Sequence, residues 1–191
     1  MLGAPIQPYA FDDVEGLVRL GSMGKSFWGG LRLGWIRADA QTIQALGPRR
    51  ASIDLGTPLL EQLAAVHLLQ TDEAPLAARR ELVRSRRDGL LDLMRTRLPD
   101  WRVASPPGGL SLWAELPSAV STSLAATSER FGLRLAAGPR FGVDGAFERF
   151  LRVPYTLPPE DLADAVDRLA LAYARLRPTG VPARASMGAV V

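Results

Sequence analysis

The chain has no cysteine, one histidine and a single lysine in 191 residues. Without cysteine there are no disulfides, no thiolate chemistry and no cysteine-bound metal. One imidazole, His67, leaves no multi-histidine metal centre. Long apolar runs are missing too, since none reaches the roughly 18 residues that cross a bilayer. The start, "MLGAPIQPYAFDDVEG", has no basic region ahead of an apolar core, as a secretory signal would. By default these absences imply a cytoplasmic protein with no membrane association.

What remains is ordinary for a globular chain: 47% hydrophobic and 23% charged residues, enough for one large domain or two small ones. The formal net charge is +3, but it is spread along the chain as arginine. The densest cluster, "RRELVRSRRDGLLDLMRTR" (79–97), interleaves acids at helical spacing and reads as a solvated helix face, not a nucleic-acid surface. No specific DNA binding is expected from this chain.

The pattern predicts strands over 15–22 and 31–38. Helices follow over part of 38–56, with an interruption near Gly47-Pro48, and over 58–70 and 74–98. On the last of these, Leu76, Leu82, Val83, Leu90, Leu91 and Met94 are expected to face inward. Beyond Trp101 the character changes. Two short strands flank a Pro-Pro-Gly-Gly turn within 101–117, and a helix over 120–132 stops at Gly132. Strands before and after "GPRFGVDG" follow. A terminal helix over 158–178 has acids early and arginines late, as the helix dipole favours. The organisation predicted is mixed α/β in two parts, residues 1–72 and 73–178, with a disordered tail over 179–191. Two strands alone make a marginal sheet, so either the sheet is completed elsewhere or the chain is a fragment.

The chemistry concentrates in "GSMGKSFWGGLRLGW" (21–35). Of 23 basic side chains counted as Lys or Arg, Lys25 alone is an amine. A neutral amine attacks an aldehyde, whereas a guanidinium stays protonated. Ser22, backbone N–H groups of the surrounding glycines and Arg32 provide donors for a phosphate. An amine beside a phosphate cradle suits pyridoxal phosphate; a surface lysine in a glycine-rich turn is the other reading of the same residues. His67 lies beside an apolar helix face and reads as structural. The tryptophans at 28, 35, 101 and 113 read as core or interface, with Trp28 set apart by its place in the cofactor loop.

"SMGKSFWGGLRLGW" resembles the lysine motif of the class I/II aminotransferases of fold type I. Three later segments resemble the same family in the same order: "IDLGTPLLEQLAA", "PPGGLSLWAELP" and "GPRFGVDGAFERFLRVPYTLPPEDL". The resemblance implies an α/β fold, the C-terminal part of a fold type I PLP-dependent transferase, with the end of the large-domain sheet followed by an α+β small domain. It implies that Lys25 forms the internal aldimine, that Ser22 and Arg32 bind the cofactor phosphate, and that Arg152 holds the substrate carboxylate. The spacing from Lys25 to Arg32 is one residue shorter than in many members. With its Trp-Gly-Gly loop it looks most like the MocR-type regulators of the GntR family, where such a domain senses an amino acid or amine. An aminotransferase enzyme is the alternative.

The same family also needs an earlier half of the pocket, including an Asp at the pyridine nitrogen. Asp12 and Asp13 do not match it, so that half is expected to precede this chain, leaving the chain inactive alone. A homodimer is implied for the intact protein, with DNA contacted only through a separate N-terminal domain.

Overall fold

The computed structural model describes residues 16–70 and 74–176. The predicted tail, Asp12 and Asp13, and most of the predicted break near 71–75 lie outside these residues. Two compact units emerge, one built on residues up to Leu82 with Pro107–Gly109, the other on Val83–Pro106 and the chain from Leu110 onward.

In the first unit, β1 (Arg19–Ser22) and β2 (Gly34–Arg37) pair antiparallel, with Gly21 opposite Trp35. Between them run a single helical turn, α1 (Met23–Ser26), and a 3-10 turn (Gly29–Leu31). Helices α2 (Ala40–Arg50) and α3 (Leu59–Gln70) follow. Asp39 caps α2: its carboxylate accepts from the Thr42 backbone N–H at 2.8 Å and from the Thr42 hydroxyl at 2.7 Å, which holds its pKa below the usual value. The predicted interruption at Gly47-Pro48 does not occur, because Pro48 lies inside α2. Pro48 has no N–H for the Gln44 carbonyl, so one bond of the last turn is forgone, and the helix ends two residues later. The apolar face predicted for 58–70 forms as a helix, yet Leu59, Leu60, Leu63, Val66 and Leu69 are exposed and only Ala65 is buried.

The second unit holds a four-stranded antiparallel sheet in the order β3–β4–β6–β5. The strands are β3 (Arg102–Val103), β4 (Ser111–Glu115), β5 (Ala136–Ala137) and β6 (Phe150–Pro154). Strict period-two alternation gives the sheet two different faces. Leu112, Ala114, Leu151 and Val153 are buried, whereas Trp113 and Arg152 lie on the open side. The buried side joins a core with residues of α4 (Ala74–Arg97), α5 (Ser121–Ser128) and α6 (Pro159–Leu176), among them Leu90, Met94, Leu124, Val166 and Leu169. On α4, Val83, Leu90, Leu91 and Met94 are inward as predicted, but Leu82 is 48% exposed. The predicted end of the 120–132 helix is a short 3-10 turn closed by Gly132 in the left-handed conformation, φ 71°, which glycine adopts without steric cost. Arg87 ties α4 to the chain before β4, donating to Pro106 O at 3.0 Å while paired with Asp88.

Candidate functional site

Lys25 is presented by a tight reversal of the chain. β1 runs extended to Ser22 (φ −143°, ψ 131°) and α1 starts at once. Ser22 Oγ accepts from the Gly24 backbone N–H at 3.3 Å, which uses a lone pair and leaves the hydroxyl hydrogen to donate elsewhere. Backbone bonds from Met23 N to Leu33 O (3.0 Å) and from Phe27 N to Met23 O (2.8 Å) fasten the turn. Met23 and Leu31 are buried with Ala65, and Phe27, Leu33 and Leu68 pack around them. This cluster anchors one side of α1. Lys25, two residues on from Met23, is therefore carried to the exposed side.

Arg32 closes the 3-10 turn in the left-handed region, φ 51° and ψ 24°. That conformation is uncommon for a residue with a side chain, and such departures gather where a chain must aim a group. Ser22, Lys25 and Arg32 line one cavity of about 370 Å³, with Gly24, Gly29, Leu33 and Gly34. The amine, hydroxyl and guanidinium singled out in the sequence thus face a common space. No carboxylate lines it among the described residues, so its charge complements an anion. Beside it, a Cβ at Gly30 would lie 2.2 Å from the Trp28 ring, so a side chain there would displace that ring. Trp28 itself is 66% exposed.

Arg152 belongs to the other unit. It occupies the middle of β6, opposite Trp113 on β4 and Ala136 on β5. Its Cζ lies over the Phe141 ring, 4.9 Å from the centroid. Its guanidinium makes no hydrogen bond or ion pair with the described residues. Trp113 joins it on the open face, so of the four tryptophans only Trp101 is core. Trp101 is buried edge-on against Tyr173, with ring centroids 5.2 Å apart. His67 is exposed on α3.

Residues 5–169 match the model of the family "Aminotransferase class I and II". The chain belongs to this family. It is 29% identical over 170 residues to the LL-diaminopimelate aminotransferase of Desulforudis audaxviator, covering 85% of this chain and 42% of that protein. It is 28% identical over 174 residues to aromatic-amino-acid aminotransferase 1 of Thermococcus litoralis, covering 88% and 42%. The fold matches the α-aminoadipate aminotransferase of Thermus thermophilus, solved with N-(5'-phosphopyridoxyl)-L-leucine. There the TM-score is 0.77 at 28% identity, over 84% of this chain and 42% of that one. The chain spans about 42% of the length of these aminotransferases. The mixed α/β architecture is that of fold type I aminotransferases, as expected.

The aromatic surroundings of Arg152 were not singled out in the sequence. Phe141, Phe147 and Phe150 gather with Trp113 around the sheet's open face. A signal was present, because Trp113 and Phe150 fall on the outward positions of alternating strands. Phe141 and Phe147 arrive from a loop, which carries no period.

Proposed function

We propose that this chain supplies the cofactor lysine and the substrate-carboxylate arginine of a pyridoxal-phosphate site of the aminotransferase kind. The observation that carries the reading is the convergence of Lys25, Ser22 and Arg32 on one cavity. Their donor set fits the group: one amine for its aldehyde, and a hydroxyl and a guanidinium for its phosphate. When bound, the cofactor supplies an electron-poor ring that makes a substrate's Cα–H acidic.

In this reading Lys25 Nζ would hold the cofactor's aldehyde end and would be the base that takes and returns the substrate's Cα proton. Ser22 Oγ and the Arg32 guanidinium fix the phosphate, so that the reacting end keeps one position. Arg152 clamps the substrate carboxylate through paired N–H donors. The residues that would contact the ring nitrogen are assigned to a part of the protein outside these 191 residues. The intact protein is proposed to work as a homodimer in the cytoplasm on an amino acid or amine. Residues 1–72 would belong to its large domain and 73–178 to its small one.

A second reading is favoured by the short Lys25–Arg32 loop and its Trp-Gly-Gly. The same domain would serve as the sensing half of a MocR-type transcriptional regulator, with DNA contacted by a separate winged helix-turn-helix. The coding sequence ahead of Met1 decides between them. An in-frame winged helix-turn-helix supports the regulator; an aminotransferase half alone supports the enzyme. The cofactor role is tested by absorption. Pyridoxal phosphate added to the chain is expected to give a visible band that Lys25→Ala abolishes, and a band that persists in that variant contradicts the assignment.

A further inference from the structure

The open face of the small sheet carries an apolar wall that the proposed chemistry leaves unused. Trp113 stacks on Phe150, with centroids 5.4 Å apart and planes 9° from parallel. Phe141 and Phe147 meet the same indole edge-on at 5.6 and 5.8 Å, and Phe147 meets Phe150 at 6.0 Å. The four rings satisfy one another only in part: Trp113, Phe141 and Phe147 remain 37%, 44% and 45% exposed.

The wall is held in advance. The loop that brings Phe141 and Phe147 is closed by backbone bonds from Gly142 N to Pro139 O, Ala146 N to Val143 O and Phe150 N to Phe147 O. Gly138 lies so close beneath it that a Cβ there would stand 1.9 Å from Phe147 O.

Arg152 sits within this wall, directly opposite Trp113, two residues from Phe150 and under Phe141. The ring contact engages the guanidinium's charge without using its N–H donors, so these remain for a planar carboxylate. Whatever is attached to a carboxylate bound there is brought against aromatic rings. An apolar group loses water-exposed area in that position, and a ring gains edge or face contacts besides. A charged or hydroxylated group gives up hydration and meets no donor or acceptor in return from the three phenyl rings, the Trp113 indole N–H being the one donor of the wall.

We propose that the Trp113–Phe141–Phe147–Phe150 wall selects substrates by their side chain, so that the carboxylates taken at Arg152 are those bearing an aromatic or large aliphatic group. This rests on the reading of Arg152 as the carboxylate ligand.

The test titrates the full chain with 3-phenylpropionate, propionate and succinate. Binding is followed through the indole N–H resonance of Trp113, assigned with Trp113→Phe. Phenylpropionate is expected to bind about tenfold tighter than propionate or succinate, the gain that burying one ring face gives. That ratio should fall toward one in Phe147→Ala and in Phe141→Leu, which keeps an apolar side chain in the loop. Arg152→Gln should abolish binding of all three.

Equal affinities that still depend on Arg152 overturn the selectivity and leave the carboxylate role standing. Binding that is indifferent to Arg152→Gln, or no binding of any of the three, overturns both.

Discussion

At the scale of single residues, the chain sets each chemical group by what surrounds its backbone. Lys25 is exposed because Met23, on the same turn, is drawn into the core. Arg32 stands on a left-handed backbone, φ 51° and ψ 24°. Tyr155 shows the reverse, a polar group taken fully inside. Burial pushes its phenol above the ordinary value of 10.0, and the nearby Arg87 guanidinium opposes that shift. A raised folded-state pKa means the native state keeps its proton longer than the unfolded chain does. The associated stability is therefore complete below the unfolded value and is lost as pH rises through the folded one. Urea unfolding at pH 8 and pH 10.5 should show a larger loss of stability for the native chain than for Tyr155→Phe. Equal losses would show that this phenol does not contribute.

At the scale of elements, the loop from Gly138 to Phe150 is held by backbone bonds and by a close approach at Gly138. Gly138→Ala would drive a Cβ into the Phe147 carbonyl, which belongs to the backbone and cannot swing aside. The expected cost is about 2–3 kcal/mol, the range of an overpacked core position, and it should appear as a lower urea midpoint. Indifference to this change would show that the loop relaxes freely. Elements with a period were legible in the sequence. The strands 111–115 and 150–154 and the terminal helix lie within about two residues of where their patterns place them. Two local expectations failed for physical reasons. Pro48 does not interrupt α2 at the predicted place: the helix forgoes the bond to the Gln44 carbonyl and ends two residues on. Leu82 is not inward, since Val83, Leu90 and Met94 share the buried face at i, i+7 and i+11, and Leu82 stands about 100° around the helix from Val83. The cavity at Lys25 was legible because its donors are neighbours in sequence. The aromatic wall was not, because half of it comes from an aperiodic loop.

At the scale of the whole molecule, α3 is the outstanding surface. Leu59, Leu60, Leu63 and Leu69 are between 57% and 77% exposed, and apolar surface of that extent marks a contact site or an association hazard. The chain by itself is expected to bind the dye ANS and to self-associate in light scattering at micromolar concentration. Leu60→Gln combined with Leu63→Gln should reduce both signals, and a native chain that is monodisperse and dark with ANS would contradict this. The central claim is that Lys25 reacts as a member of a phosphate-guided site, in which Arg32 and Ser22 direct the cofactor to its amine. The most direct measurement is to reduce the mixture of chain and pyridoxal phosphate with borohydride and map the labelled peptides. The label should fall on Lys25, and inorganic phosphate, Arg32→Gln and Ser22→Ala should each suppress it. A label confined to the N-terminal amine, or one on Lys25 that none of the three diminishes, would contradict the account.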